Sequence, residues 1–263
     1  MPAAELASVD GSIGPTAEAT VPLKDDGLYR GDGAFEVIRL YAGRPFDLDA
    51  HLDRLGRSAA AIELDVDRDL FATEIAALLE RNGDEDAQLR LLATRGGRRI
   101  ALIEPLVDWG ETVSLATVTY QPSVILTGVK SLSYAANMQA TRLAKARGAD
   151  EALLVRPDGI VLEAPTSTIF WVSAGTLRTP SLETGILDSI TRRVLMEALD
   201  VVEGELRLDD VLGASEAFLA STTREVQPVS AIDGVEFKAG SHAAEAKQAL
   251  ADAVKAALGA PAS

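Results

Sequence analysis

What this chain can fold into is limited most by how its apolar spacing changes along the sequence. Ala34-Phe35-Glu36-Val37-Ile38-Arg39-Leu40-Tyr41 alternates as a strand does, after a Gly-rich turn over 27–33. Ala42-Gly43 reads as a hairpin turn into Arg44-Pro45-Phe46. Helical spacing then takes over, with Asp47 or Asp49 as cap and Leu52, Leu55, Ala59 and Ile62 on one face. A second helix is expected over 69–81, stopped by Asn82-Gly83. Strand-like runs follow at 87–94, 99–103 and 113–120. Gln121-Pro122-Ser123 is a polar, Pro-containing step between apolar segments, which places a domain boundary there and gives domains 1–120 and 121–263. Beyond it, a helix over 135–147 ends at Gly148. A hairpin about Pro157-Asp158-Gly159 pairs 151–155 with 160–163, and a further strand covers 169–172. Helices are expected over 191–199 and 243–258. Strands and helices mixed in this order favour an α+β protein in two lobes.

Composition narrows the function classes. The chain has 263 residues, 47% apolar and 25% charged, enough to bury a sizeable core and typical of a soluble globular protein. No apolar run reaches the roughly 18 residues that span a bilayer. Met1-Pro2-Ala3-Ala4-Glu5 lacks the basic region and apolar core of a secretory signal. Zero cysteines exclude disulfides and thiolate metal sites and agree with a cytoplasmic location. His51 and His242 leave little from which to build a metal site or a His-based triad, so no metal is expected. A net charge of −15 argues against nucleic acid or an anionic membrane as partner, but a small anionic substrate feels local positive residues.

Two central segments carry candidate chemistry. Gly128-Val129-Lys130-Ser131-Leu132-Ser133-Tyr134 places one lysine ahead of a small-residue helix. Val161-Leu162-Glu163-Ala164-Pro165-Thr166-Ser167-Thr168 places one carboxylate at the end of a strand-like run. A lysine amine forms Schiff bases with carbonyl cofactors, and a carboxylate keeps a pyridine nitrogen protonated. Taken alone, each is also an ordinary surface residue. Ser189-Ile190-Thr191-Arg192 opens a helix whose N–H groups suit a phosphate, though a plain N-cap explains the same letters. Arg54, beside His51, reads either as a bidentate phosphate clamp or as a surface partner of Asp47 or Asp53. Thr94-Arg95-Gly96-Gly97-Arg98-Arg99 is a cationic loop in an acidic chain, suited to a carboxylate or simply a solvated hairpin tip. Gly31-Asp32-Gly33 lacks a third glycine and precedes a strand, which excludes a dinucleotide fingerprint.

Taken in order, these motifs resemble the class IV (fold type IV) pyridoxal phosphate (PLP) aminotransferases. The matching set is Gly31 to Arg39, His51-Leu52-Asp53-Arg54-Leu55, Lys130 to Tyr134, Asp150-Glu151-Ala152, Asp158-Gly159 with Glu163, Thr179-Pro180, Gly185-Ile186-Leu187 with Ile190-Thr191-Arg192, and Ser221 to Val226. The resemblance implies a small N-terminal α/β domain, a larger C-terminal mixed β/α domain, and a homodimer. It implies that Lys130 forms the Schiff base and shuttles the proton between Cα and C4′. Glu163 would pair with the pyridine nitrogen. Arg54, Ile190, Thr191 and Thr222 would hold the phosphate, two of them through backbone N–H groups, and Tyr134 would bond the cofactor phenolate oxygen. Phe35, Arg39, Arg95, Arg98 and Thr223 are the implied substrate-binding residues.

The departures bear on substrate. D-amino-acid aminotransferases carry an Arg-x-His pair where the corresponding loop here reads Arg95-Gly96-Gly97-Arg98-Arg99-Ile100-Ala101, with arginines but no histidine, and a tyrosine where this chain has Phe35. Branched-chain enzymes usually have glycine at the position of Val37, and they place their tyrosine one residue further from the lysine than Tyr134. Aminodeoxychorismate lyases usually show asparagine where Ser133 stands. The expected activity is transfer of an amino group between an α-amino acid, branched-chain or hydrophobic, and a 2-oxo acid. Aminodeoxychorismate lyase is the runner-up, followed by a D-amino-acid or (R)-amine transaminase and, from another class, a non-catalytic PLP-binding protein.

Overall fold

In the computed structural model, which describes residues 5–238 and 240–259, the chain divides into two compact units. The first holds residues 5–107, 129–134 and 254–259; the second holds Asp108–Gly128 and Ala135–Ala253. Through the first unit run β1 (Leu6–Val9), β2 (Ser12–Pro15), α1 (Asp26–Tyr29), β3 (Gly33–Tyr41), β4 (Arg44–Pro45), α2 (Leu48–Ala61), α3 (Arg68–Leu79), β5 (Ala87–Thr94) and β6 (Arg99–Glu104). Its sheet has the order β2-β1-β6-β5-β3-β4 and is antiparallel throughout. β3 and β5 pair from Gly33↔Thr94 to Leu40↔Ala87.

Alternation along β3 puts Ala34, Ile38 and Leu40 on the side that joins Leu89, Leu91 and Ile103 beneath α2 and α3. The helices answer with Leu52, Leu55, Phe71, Ile75 and Leu78, all buried. Each such side chain contributes about 1.5–3 kcal/mol through burial. Asp67 caps α3 by accepting the Leu70 N–H. Asp47 stands at the cap of α2 but in a left-handed conformation, φ 53°, without a side-chain cap bond. The hairpin β1–β2 and the short α1 were not anticipated. The hairpin turns at Asp10-Gly11, where both residues have positive φ, and four-residue strands give too little alternation to read.

The second unit contains β7 (Val113–Thr119), α4 (Ala135–Ala146), β8 (Glu151–Val155), β9 (Thr168–Ser173), β10 (Thr176–Pro180), α5 (Ile190–Ala198), β11 (Val201–Gly204), α6 (Leu208–Leu212), β12 (Glu216–Ser221), β13 (Glu225–Ile232), β14 (Val235–Glu236) and α7 (Ser241–Leu258) as far as Ala253. Its sheet runs β11-β10-β9-β12-β13-β7-β8, with β14 on β13. The sheet is mixed: β7 lies parallel to both β8 and β13, and β10 parallel to β11. Phe170 and Phe218 stack at 5.1 Å, and buried Trp171 donates its indole N–H to Asp210.

Two expectations change here. The boundary at 120/121 is displaced, because β7 makes its hydrogen bonds within the second sheet and residues 129–134 return to the first unit. The strand expected over 160–163 is reduced to isolated bridges at Ile160 and Val161. Among the described residues, no helix is long and apolar enough to cross a membrane.

Candidate active site

Lys130 is carried on an extended segment five residues ahead of α4, rather than at a helix start. Ser131 bridges Ala34, the Phe35 N–H donates to the Lys130 carbonyl at 3.0 Å, and the Leu132 N–H donates to Gly33 at 2.8 Å. The Lys130 N–H in turn donates to Ser58 Oγ of α2 at 3.1 Å. Close approach explains Gly33: a Cβ there would lie 2.4 Å from the Ala93 carbonyl and 2.6 Å from Leu132. The Lys130 amine sits 4.2 Å from the centroid of Phe35 and 5.9 Å from that of Tyr134, and these two rings meet edge-on at 5.2 Å. Half-buried Lys130 is therefore held against aromatic faces by backbone pairing to β3 and by its bond to Ser58.

Glu36, His51 and Arg54 form a second cluster in this unit. Arg54 donates from Nε to Glu36 Oε1 at 2.7 Å and from Nη2 to Oε2 at 2.8 Å, while His51 Nδ1 lies 2.8 Å from the same Oε2. All three are buried. Burial pushes the Glu36 carboxyl up, but Arg54's charge and the hydrogen bonds from Arg54 and His51 outweigh it and hold it at about 2. Burial also holds His51 below its ordinary value against the pull of Glu36. Arg54 is thus buried against Glu36 rather than standing on the surface. Glu36 and His51 were missed as a unit, although Glu36 takes the inward parity of Ala34, Ile38 and Leu40, and His51 and Arg54 are three apart on one helix.

In the second unit, Glu163 accepts the Leu187 N–H on Oε1 at 3.2 Å, and its backbone pairs with Leu154. Its charge, after burial, helps push the Tyr120 hydroxyl up. Ile190 and Thr191 open α5 and are buried. Ser189 caps the helix through the Arg192 N–H, and helix geometry gives the Ile190 and Thr191 N–H groups no acceptor within the helix. Thr222 and Thr223 lie in the turn between β12 and β13, next to a buried Arg224 that bonds Ser167 and Glu151.

The arginine loop is already engaged within its own unit. Arg95 pairs with Asp32 at 3.2 Å and donates to the carbonyls of Ile62 and Glu63. Arg98 pairs with Asp10, and Arg99 forks onto Glu74. Arg39 lies 3.9 Å from Asp86 and over the Tyr41 ring. Phe35, Val37 and Arg39 share the β3 face opposite the core.

These residues suit a phosphorylated pyridine aldehyde: an amine between rings, a carboxylate held by a backbone N–H, and a helix N-terminus with buried hydroxyl and N–H groups. The sequence model of the family described as Amino-transferase class IV matches residues 33–232. A putative branched-chain-amino-acid aminotransferase of Methanocaldococcus jannaschii is 33% identical over 86% of this chain and 87% of its own. A D-alanine aminotransferase of Bacillus licheniformis is 30% identical, covering 88% and 90%, and an aminodeoxychorismate lyase of Bacillus subtilis is 30% identical, covering 92% and 91%. Among solved structures, the branched-chain aminotransferase of the thermophilic archaeon Thermoproteus uzoniensis with norvaline superposes with TM-score 0.87, at 28% identity, over 97% of this chain and 95% of that one.

Proposed function

This chain belongs to the class IV PLP-dependent aminotransferases, and we propose that within them it moves the amino group between a branched-chain or other hydrophobic L-amino acid and its 2-oxo acid. The observation that carries this reading is the Lys130 amine held 4.2 Å over Phe35 on a strand-paired segment. PLP supplies a carbonyl for the amine exchange and a protonated ring that accepts the electron pair left at Cα. Lys130 Nζ would hold the cofactor through that carbonyl and, once the substrate amine has replaced it there, would move the proton between substrate Cα and C4′. Glu163 holds the proton on the pyridine nitrogen, oriented by the Leu187 N–H. Arg54, Ile190, Thr191 and Thr222 would hold the phosphate, and Tyr134 would bond the phenolate oxygen.

Phe35 and Arg39 line the substrate side of β3, and Thr223 meets the substrate from its turn. Arg95 and Arg98 have the weaker claim, since a substrate carboxylate would have to displace Asp32 or Asp10. The relative from Methanocaldococcus jannaschii supports the branched-chain donor. The Bacillus subtilis relative favours the second reading, an aminodeoxychorismate lyase releasing pyruvate and 4-aminobenzoate from the same cofactor site. A cytoplasmic homodimer completes the proposal.

The experiment follows the visible band of the lysine-bound cofactor while L-amino acids, D-amino acids, (R)- and (S)-amines and aminodeoxychorismate are added in turn. Bleaching by L-leucine or L-valine is the expected result. Pyruvate release from aminodeoxychorismate, with no bleaching by L-amino acids, replaces the first reading by the second. Borohydride reduction and peptide mapping should label Lys130, and a label on Lys145 overturns the assignment.

A further inference from the structure

Stability alone gives no reason for the Glu36–His51–Arg54 cluster. Glu36 and His51 are 0% exposed and Arg54 5%, and well-packed apolar side chains in place of a buried ion pair are often as stable or more so. Glu36 also stands on the inward side of a strand whose other inward residues, Ala34, Ile38 and Leu40, are apolar. What such a cluster does supply is direction. Glu36 grips Arg54 side-on through Nε and Nη2, which sets both the place and the plane of the guanidinium. His51 sets the carboxylate in turn. An ionised carboxylate only accepts, so Nδ1 is the protonated ring nitrogen, and burial keeps the ring neutral with a bare Nε2 that finds no hydrogen-bond partner. An arginine side chain without such a grip would be ordered only when its ligand arrived, at a cost in affinity.

We propose that Glu36 and His51 are positioning residues that preset the Arg54 guanidinium for the phosphate monoester of the cofactor. This inference rests on the reading above that Arg54 binds phosphate. Glu36 acts against the phosphate as a charge and for it as a brace. The two effects have opposite signs, so one substitution separates them.

The test compares PLP with pyridoxal, which has the same ring and aldehyde but no phosphate, by titrating each into the apo-protein and following the lysine-bound band. Glu36→Gln should lower the preference for PLP over pyridoxal about 10- to 100-fold, with pyridoxal binding within about twofold of the parent. Glu36→Asp, which keeps the charge and shortens the reach, should fall between. His51→Ala should lower the preference about 3- to 10-fold, and carries the test alone if the Glu36 variants do not fold. Tighter PLP binding by Glu36→Gln, or equal loss of PLP and pyridoxal, overturns the inference. Arg54→Ala separates the two levels. If it loses the preference while Glu36→Gln and His51→Ala keep it, the positioning role fails and the phosphate reading stands. If Arg54→Ala keeps the preference, the phosphate reading itself fails.

Discussion

Each unit holds a buried arginine paired with a buried glutamate, Arg54 with Glu36 and Arg224 with Glu151, and the two pairs are built differently. Arg224 is enclosed on several sides: Nε donates to Ser167 at 3.1 Å, Nη2 to Glu151 at 2.9 Å, Nη1 to Gln227, and the Trp109 ring lies 4.0 Å from the guanidinium carbon. Gln227 passes the network on to the carbonyls of Trp109, Gly110 and Thr112, and Thr141 bonds the other oxygen of Glu151. This node ties β8, β13 and the entry to β7 together. Glu36 instead takes Arg54 side-on, through Nε and Nη2, and His51 braces that carboxylate. The difference teaches that a buried ion pair is not one kind of feature. A network that bonds a guanidinium in several directions and covers its face is a fastening, whereas a side-on grip aims it.

The largest expected effect tests the fastening. Glu151→Ala leaves Arg224 buried without its counter-charge and should cost about 3–5 kcal/mol, read as a lower midpoint in urea unfolding of the apo-protein. A Glu151→Ala protein that kept its stability but lost discrimination between PLP and pyridoxal would erase the distinction between the two nodes.

Acid should act through the aiming pair. Glu36 at about 2 lies below an ordinary glutamate, so the folded state binds fewer protons than the unfolded chain. Its contribution, on the order of 3 kcal/mol, is present above the unfolded value near 4.5 and is lost as pH falls through about 2. His51 is also held low, so stability should already decline as pH drops below about 6.5, with the same sign. Urea midpoints measured across this range should flatten in Glu36→Gln at the acid end and in His51→Ala near pH 6. Parallel curves for parent and variants would show that the cluster does not govern the acid response.

The smallest effect concerns an arginine of neither kind. Arg98 is about one-third exposed and paired with Asp10, so Arg98→Ala should change stability by less than about 1 kcal/mol. It should slow an amino acid and an amine lacking the carboxylate to the same small extent. A loss confined to the amino acid would give Arg98 a place in carboxylate recognition.

Local patterns carried much of this. Strand β3 falls on the alternating run that announces it, and helices α2 to α5 begin and end within a few residues of their apolar stripes and stop signals. Lys130, Glu163 and the Ile190-Thr191 pair, the proposed cofactor residues, could be singled out from residue type and order, because a reactive amine, a carboxylate and a helix N-terminus each leave a local mark. The small strands β1, β2 and β10 to β14 were not legible as a set: most are too short to show alternation, and a strand such as β12 depends on a distant partner as well as a local one, since Leu219 pairs with Ile169 and with Gln227.

The sequence by itself determined an α+β chain with two cores, a lysine before a small-residue helix, and the order of motifs that identifies the family. Tertiary structure decided what the charged residues do. Glu36 and Glu151 are both strand carboxylates, and Arg54, Arg98 and Arg224 are chemically identical side chains. Whether one aims, fastens or merely pairs depends on which groups converge on it from β3, α2, β8 and β13. Those distances are set by packing between segments far apart in the chain, and local spacing carries no record of them.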